Sequence, residues 1–504
     1  MERETWFPHC SFAIEVRLFE SDFLTFVPGS KDAYEHLITE AARIVCSSLP
    51  NHPYSGSGAS TLTNAIPHSD FLPTESSSPR QISDVLRTVI KDSVILVHPH
   101  TAAHLHCPPL LAALAAEVVI TTLNQSMDSF DQAPIATIVE QKMVRWLCAQ
   151  ASLPATADGT FTTGGSQSNY MGLLLARDWF LSKHWNWSAQ KSGLPAESRR
   201  LRILCSEAAH FTVEKSAAQL GLGTDAVVRV PVDNLFRMDA PALDSTLRTL
   251  RAQKLLPMAV VATAGTTDFG SIDPLATISD LARDHGAWLH VDAAYGGALL
   301  FSNSQREKLV AIEAADSVSI DFHKLLWQPI PCSVFLLREA RNFESIRLYA
   351  DYLNPELHED QGIPNLVTTS LLTSRRFDAL KLWISFQTLG RDKLAAMLDR
   401  TIALANHAAT VIRTMPELEL VCEPQLSTVV FRYVPSTGTD ADRVNLAIRQ
   451  RLFDRGLAVI GHTRVHNRQC LKFTCMNPVT TEAHMEYLVG LILTQGRLLS
   501  ATKS

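Results

Sequence analysis

The chain has 504 residues, 46% of them hydrophobic and 19% charged, with a formal net charge of −6. This composition is too apolar for intrinsic disorder, and the length predicts more than one packed region. Lysine and arginine are scattered, which argues against a nucleic-acid partner. The longest apolar run, Leu110 to Leu123, contains Glu117 and is too short to span a bilayer, so we expect no membrane partner.

The cysteine pattern and the first residues bear on the cellular compartment. The nine cysteines are isolated and form no CxxC pair. Cys107, Cys205 and Cys332 lie in or near apolar segments, which favours reduced, buried thiols over disulfides. The opening MERETWFPHC lacks the pattern of a signal peptide. We therefore expect a cytoplasmic protein without a metal site.

The predicted elements begin with an N-terminal helical and loop segment, residues 1–85. Helical spacing runs from Lys31 to Leu49, and a Ser/Pro/Thr-rich stretch from Ser55 to Pro79 predicts a surface loop or linker. Over residues 86–385, apolar β-prone runs alternate with helical stretches. This alternation predicts an α/β domain with a mainly parallel sheet covered by helices on both faces.

The individual elements of this large domain follow from the same patterns. Strands are predicted at Leu201–Ser206, Ala226–Val230, Met258–Ala262, Ala287–Val291, Ser317–Ile320 and Ser333–Leu337. Helices are predicted at Ser168–Leu181, Glu214–Leu220, Ala240–Gln253 and Pro274–Asp284. A long helix from Arg376 to about Met415 leads into residues 386–504, where shorter strands and helices predict a small C-terminal α+β domain.

Five motifs of the large domain each follow a predicted strand, where open α/β sheets bind ligands. In DFHK, Lys324 would serve as an amine nucleophile if an apolar setting or nearby cations lower its pKa; otherwise it is a surface lysine. In HVDAAYGG, Asp292 can pair with a protonated pyridine nitrogen, or it can cap the next helix.

The other three motifs supply the remaining parts of such a site. In TTGGSQSN, Gly165 and Ser166 open a helix whose N-terminus can bind a phosphate, although Gly-Gly-Ser turns are common. In SEAAH, His210 can stack on an aromatic ligand or be a structural residue. In ATAGTTDFGSID, Thr266 and Thr267 can contact the ring of the same aromatic ligand. Together the five motifs predict a site for pyridoxal 5′-phosphate (PLP).

With these motifs the chain resembles the group II PLP-dependent decarboxylases, from about His98 to about Val489. HVDAAYGG, followed 32 residues after its Asp by the lysine of HK, carries the resemblance. The resemblance implies the fold type I, or aspartate-aminotransferase-like, PLP-dependent transferase fold and a homodimer with its sites at the subunit boundary. The implied activity is conversion of an L-amino acid to its amine and carbon dioxide.

The resemblance also implies roles for single residues. Lys324 holds the cofactor as a Schiff base, Asp292 pairs with the pyridinium, and His210 and Ala294 cover the two faces of the ring. Thr267 lies beside the ring, while Gly165, Ser166 and His323 approach the phosphate. Asp321 stands where relatives often carry Asn, and its carboxylate would repel a phosphate unless it turns away or pairs with a cation. His98-Pro99-His100 departs from the His-Pro-Arg of relatives.

The substrate side of the site rests on three further residues. Tyr352, in the loop-like segment IRLYADYLNPE, matches the tyrosine that returns a proton after decarboxylation; otherwise it is a packed loop aromatic. His104 matches a position near the substrate carboxylate. Asp128, in a stretch contributed by the partner subunit, suits a side-chain ammonium or caps a turn.

Three stretches resemble the L-2,4-diaminobutyrate decarboxylases, which favours a polar substrate; they are AHLHCPP, NQSMDSFDQAP and TSRRFDALKLW. The open alternatives are an aromatic amino-acid decarboxylase and a PLP enzyme with another reaction, such as aldehyde synthesis or transamination. A non-catalytic dimer partner is a third alternative. Tyr352 argues against aldehyde synthesis, because relatives with Phe at this position tend toward that chemistry.

Overall fold

The computed structural model describes residues 22–27, 29–66, 71–436 and 438–501, without the side chain of Glu359. The first 21 residues, for which the sequence predicts no signal peptide, lie outside the described residues. The chain divides into two compact units, one of residues 1–98 with 452–459, the other of residues 99–451 with 460–504. The three-domain division at residues 85 and 385 remains a prediction. In the described part of the chain no helix has both the length and the apolarity needed to cross a membrane.

The smaller unit is built mainly of helices: α1 (Ser30–Ser48), α2 (Ala59–Ala65) and α3 (Pro79–Lys91). Helix α1 forms where the spacing from Lys31 predicts it. Helix α2 lies inside the stretch that the sequence predicts as a loop, because its seven residues, ASTLTNA, contain neither Gly nor Pro. Helix α3 begins with a capping box, in which Ser78 N donates to Gln81 Oε1 at 2.8 Å and Gln81 N donates to Ser78 Oγ at 3.3 Å.

The remaining helices follow in chain order. They are α4 (Leu111–Leu123), α5 (Pro134–Gln150), α6 (Gly165–Trp185), α7 (Ala189–Ser192), α8 (Thr212–Gln219), α9 (Ala240–Ala252), α10 (Leu275–Asp284), α11 (Leu357–Asp360), α12 (Ala379–Thr414), α13 (Ala441–Asp454) and α14 (Glu482–Ala501). The first eight strands are β1 (Thr101–Ala102), β2 (Asp158–Thr162), β3 (Leu201–Ser206), β4 (Val227–Val230), β5 (Leu256–Thr263), β6 (Trp288–Asp292), β7 (Ser317–Asp321) and β8 (Ser333–Leu337). The last four are β9 (Leu418–Leu420), β10 (Thr428–Tyr433), β11 (Val459–Val465) and β12 (Arg468–Thr474).

Seven strands form the main sheet, in the order β2-β8-β7-β6-β5-β3-β4. The neighbours from β7 to β4 pair in parallel, whereas β8 pairs antiparallel with both β7 and β2. Strands β6, β7 and β8 are buried along their whole length. Strand β8 has an apolar run, as is typical of a buried strand, whereas β6 and β7 carry polar residues among apolar ones. The predicted α/β fold with a mainly parallel sheet is confirmed, with an antiparallel edge that the sequence analysis does not foresee.

A second sheet has the order β1-β11-β12-β10-β9, and the pairs from β11 to β9 are antiparallel. Helix α12 packs against β9, β10 and α14. The sequence predicts α12 as one continuous helix, but it breaks at Gly390, whose φ of 69° and ψ of 170° are not helical. Glycine adopts a positive φ without the steric cost that a side chain imposes.

Candidate functional site

The predicted site motifs meet at the carboxyl edge of the main sheet. Asp292, at the end of β6, is paired in register with Thr263 of β5 on one side and with Ser319 of β7 on the other. Lys324 lies directly after β7, in the loop of residues 322–332 that joins β7 to its antiparallel partner β8. Because these strands are neighbours, residues separated by more than a hundred positions in the sequence converge at one edge.

Lys324 is ion-paired with a buried carboxylate. Its Nζ lies 2.9 Å from Asp321 Oδ2, and His323 Nε2 lies 3.7 Å from the same oxygen. Burial raises the pKa of Asp321, but the charges of Lys324 and His323 outweigh burial and leave that pKa below its usual value. Asp321 thus pairs with a cation. Such pairing is one of the two conditions, given above, under which a carboxylate can lie near a phosphate without repelling it.

A narrow cradle forms where helix α6 begins. A methyl group built on Gly165 would lie 3.1 Å from Ala294 Cβ and 3.2 Å from Asp321 Oδ2, and one on Gly164 would lie 3.7 Å from His323 Cε1. Ala294 and Asp321 therefore lie close to Gly165, and His323 lies close to the preceding Gly164; a phosphate contact by Gly165, Ser166 and His323 remains a prediction. The first turn of a helix presents backbone N–H groups and a positive dipole end, which suit a phosphate. Ser166 is exposed in that turn.

Asp292 is held by two hydrogen-bond donors. Asn169 Nδ2 donates to Oδ2 at 2.7 Å, and the backbone N–H of Ala294 donates to Oδ1 at 3.1 Å. A carboxylate at this place can accept a hydrogen bond from a protonated ring nitrogen, which is the role predicted for Asp292.

His210 lies after β3 and is connected to the same group of residues. Its Nδ1 is 2.9 Å from Thr212 Oγ1, and Asn169 Nδ2 lies 3.1 Å from that same oxygen. Burial lowers the pKa of His210, Asp292 raises it, and Lys324 lowers it, with a net decrease. His210 is therefore favoured in its neutral form at neutral pH.

The two threonines after β5 differ in accessibility. Thr266 is fully buried and binds within its own turn, because its carbonyl accepts from Gly270 N at 2.8 Å and its Oγ1 accepts from Ser271 N at 3.1 Å. Thr267 is half-buried, and its carbonyl accepts from Lys472 Nζ at 3.2 Å. A ring contact by Thr267 remains a prediction.

The residues predicted for the substrate side take no part in the contacts described above. Tyr352 is 90% exposed, so its ring packs against almost nothing in the described chain. His104 is exposed, and its ring centroid lies 5.9 Å from that of His106. Asp128 is buried in a turn, where its Oδ1 accepts from the N–H of the next residue, Ser129, at 3.0 Å. His100, at the departure from His-Pro-Arg, stacks on Tyr487.

Three buried polar residues at this site are absent from the sequence predictions: Asn169, Thr212 and His290. Asn169 and His290 lie at the end of TTGGSQSN and the start of HVDAAYGG. The usable signal is polar residues inside a strand that is otherwise apolar, namely His290 in β6 with Ser317 and Ser319 in β7. Such residues need buried partners, since an unpaired polar group inside a protein costs about 1–3 kcal/mol.

Comparison with known proteins assigns a family to this arrangement. The family model for the pyridoxal-dependent decarboxylase conserved domain matches residues 64–434. An L-2,4-diaminobutyrate decarboxylase of Acinetobacter baumannii is 41% identical over 475 residues, 92% of each chain. One from Rhizobium meliloti (strain 1021) is 43% identical over 430 residues, 85% of this chain and 84% of the relative.

A solved structure agrees over nearly the whole chain. The glutamate decarboxylase domain of diaminobutyrate-pyruvate transaminase and L-2,4-diaminobutyrate decarboxylase from Vibrio parahaemolyticus superposes with a TM-score of 0.88 at 40% identity. The superposition covers 96% of this chain and 99% of the other. The fold type predicted from the sequence motifs is therefore confirmed.

Proposed function

Because the chain belongs to the pyridoxal-dependent decarboxylase family, we propose that its substrate is an L-amino acid with a cationic side chain, most closely L-2,4-diaminobutyrate. The reaction replaces the α-carboxylate by a hydrogen and releases carbon dioxide and an amine. The observation that carries the proposal is the ion pair of Lys324 with the buried Asp321, at 2.9 Å, on the same sheet edge as Asp292. Two relatives above 40% identity that carry this substrate in their names support the substrate class.

The described residues fit PLP, because one edge of the sheet contains an amine, an acceptor for the ring nitrogen and a helix N-terminus. Lys324 would hold the aldehyde carbon and Asp292 the ring nitrogen. The phosphate would bind at Gly165, Ser166 and His323; the ring would lie between His210 and Ala294, with Thr267 at its edge. When bound, the cofactor supplies the electron sink for the pair left by the departing carbon dioxide.

The residues of the chain would then share the remaining tasks. Decarboxylation consumes one proton per turnover, and we assign its return to Cα to the hydroxyl of Tyr352, assisted by His210. His104 would bind the α-carboxylate, and Asp128 would attract the side-chain ammonium. Exclusion of water around Cα would limit side reactions.

A substrate panel tests the proposal. Purified PLP-loaded protein would be incubated with L-2,4-diaminobutyrate, L-ornithine, L-tryptophan and L-cysteine sulfinate, with Lys324→Ala as control. We expect 1,3-diaminopropane and carbon dioxide in equal amounts from diaminobutyrate, and no product from the control. Turnover of L-tryptophan alone would disprove the cationic substrate, and oxygen uptake with peroxide release would indicate aldehyde synthesis instead.

A pair of variants tests Asp128 separately. If Asp128 binds the ammonium, Asp128→Asn lowers kcat/KM for diaminobutyrate by at least about tenfold, the effect of losing a charged hydrogen bond worth about 1.5–3 kcal/mol. Asp131→Asn, at an exposed position in the same turn, is the matched control. Equal effects of the two variants would support the turn-capping alternative.

We also propose a homodimer. Helix α4 exposes a group of apolar side chains: Leu111, Leu114, Val118, Val119 and Leu123. Several exposed apolar side chains on one helix are typical of an association interface. Sedimentation velocity should show a dimer for the native protein and a monomer for Val119→Glu, whereas Asn303→Glu, at another exposed position, should remain dimeric.

A cytoplasmic location completes the proposal. In the described part of the chain the eight cysteines, Cys46 to Cys475, are free thiols, which fits a reducing compartment. Cell fractionation with an antibody to the chain would test the location, and recovery in a membrane or secreted fraction would contradict it.

A further inference from the structure

A series of buried hydrogen bonds runs from inside the main sheet to Asp292 and His210. Trp288 Nε1 donates to Ser317 Oγ at 2.9 Å, and Ser317 Oγ lies 2.8 Å from His290 Nδ1. His290 Nε2 lies 3.0 Å from Asn169 Oδ1. The amide of Asn169 then contacts Asp292 and Thr212, as described above. Every residue in this series from Trp288 to Thr212 is at most 6% exposed.

The direction of these bonds can be assigned from the carboxylate. Nδ2 is the amide atom of Asn169 that faces Asp292 Oδ2, at 2.7 Å, so the amide donates and the carboxylate accepts. Oδ1 of Asn169 then faces His290 Nε2, which must carry a proton to form the bond. The hydroxyl of Ser319 donates to the same Oδ1 at 2.6 Å, which agrees with this orientation.

The opposite end of the series is compatible with this direction. An indole N–H only donates, so Ser317 Oγ accepts from Trp288. Burial lowers the pKa of His290 to about 4, so this histidine is neutral at neutral pH and carries one ring proton. Because the bond to Asn169 Oδ1 places that proton on Nε2, Nδ1 is free to accept from the Ser317 hydroxyl.

Beyond Asn169 the series reaches His210. Thr212 Oγ1 accepts from Asn169 Nδ2, so its own hydrogen is available to His210 Nδ1 at 2.9 Å. The backbone N–H of Thr212 also points at that nitrogen, at 3.4 Å. With two donors facing Nδ1, the neutral ring of His210 carries its proton on Nε2.

We propose that Asn169 is a positioning residue, which uses its two N–H bonds to hold Asp292 as an acceptor and, through Thr212, to fix His210 as its Nε2–H tautomer. This inference rests on the proposed function, since it gives the two residues their cofactor roles. Asp292 would then be ready for a protonated ring nitrogen, and His210 would present a proton donor at Nε2. Trp288, Ser317 and His290 set the direction without contacting the cofactor.

The first experiment compares two identical substitutions. Asn169→Asp removes both donors and places a second carboxylate beside Asp292, so that the two compete for one proton. Asn445→Asp is the matched control, because Asn445 is equally buried and its amide donates only to the carbonyls of Tyr433 and Ala441. Titration of the cofactor-free proteins with PLP should show about a tenfold or larger rise in Kd for Asn169→Asp, and less than about a twofold change for Asn445→Asp. Equal Kd values for Asn169→Asp and the native protein, or equal losses in both variants, would overturn the proposal.

A second experiment needs neither substrate nor a variant of Asn169. Nitrogen-15 NMR of protein containing labelled histidine reports the tautomer of His210, whose signal is identified by its loss in His210→Gln. We expect the Nε2–H tautomer in the native protein, a shift toward Nδ1–H in Thr212→Val, and recovery in Thr212→Ser. An Nδ1–H or cationic His210 in the native protein would refute the proposal. Because neither readout involves turnover, failure of the substrate panel would not be confused with failure of this inference.

Discussion

Gly172 provides a steric test of the buried network. It lies in the middle of helix α6, and a Cβ built on it would meet the ring of His290 at 2.5 Å from Nδ1 and 2.7 Å from Cε1. His290 is completely buried and bonded through both ring nitrogens, so it has little freedom to move away. Gly172→Ala should therefore displace the imidazole.

The expected cost can be estimated from opposing contributions. Overpacking of a core typically costs about 1–3 kcal/mol. Weakening one or two hydrogen bonds of His290 adds about 1 kcal/mol for each bond. The higher helix propensity of alanine offsets about 1 kcal/mol of this destabilisation. We expect the free energy of unfolding to fall by about 2 kcal/mol.

Denaturant unfolding of Gly172→Ala beside Gly490→Ala would measure this effect. Gly490 lies in the interior of helix α14, and a Cβ there would meet no atom within 4 Å, so this control should be stabilised by about 0.5–1 kcal/mol. Gly172→Ala should also bind PLP more weakly, since Asn169 loses its partner. Equal stabilisation of both variants, with unchanged PLP binding, would refute the tight packing of His290 against α6.

Three further predictions concern charge and the exposed tyrosine. Glu140→Gln should lower the free energy of unfolding by about 3–5 kcal/mol, because it leaves Arg375 as a buried cation without its anion. In the native chain Arg375 is bonded to Glu140 at 2.8 Å. An unchanged midpoint in a denaturant titration would contradict this prediction. The pKa of Asp321 is lower in the folded than in the unfolded chain, so the ionised carboxylate stabilises the fold at neutral pH. This stabilisation is lost as acid protonates the carboxylate. Unfolding midpoints measured between about pH 5 and 3 should therefore fall less steeply for Asp321→Asn than for the native protein. Tyr352→Phe should change stability by less than about 0.5 kcal/mol, since the side chain is 90% exposed, yet lower amine formation and raise oxygen uptake; unaltered products would remove Tyr352 from proton transfer.

Much of the fold can be predicted from the sequence because buried parallel strands are short, apolar and separated by helices. Strands β3, β7 and β8 begin where they are predicted, and β6 starts one residue later than predicted. Strand β2 is missed, because its sequence DGTFT begins with Asp-Gly and has no apolar run. Its place at the sheet edge depends on antiparallel pairing with β8, which is more than 170 residues away in the chain.

At the site, too, some residues can be predicted from the sequence and others cannot. Lys324, Asp292 and Gly165 can be found because each lies at a strand or helix end, where backbone geometry makes a short motif informative. The structure brings these three to one edge, whereas the roles of Tyr352, His104 and Asp128 remain predictions. Asn169 and Thr212 are not predicted from the sequence, because their importance depends on which atoms they face. A pattern of residue types carries no such information.

The contacts of the site differ greatly in how far they reach along the chain. The ion pair of Lys324 joins residues three positions apart, within one turn after β7. The bond from Asn169 to Asp292 spans 123 positions and cannot form before α6 and β6 have come together. Because closing long loops carries an entropic cost before the contact forms, short-range contacts tend to appear first during folding. In a refolding chain the ion pair between Lys324 and Asp321 would form early. Tight binding of PLP would return late, and its recovery would report when the sheet has finished assembling.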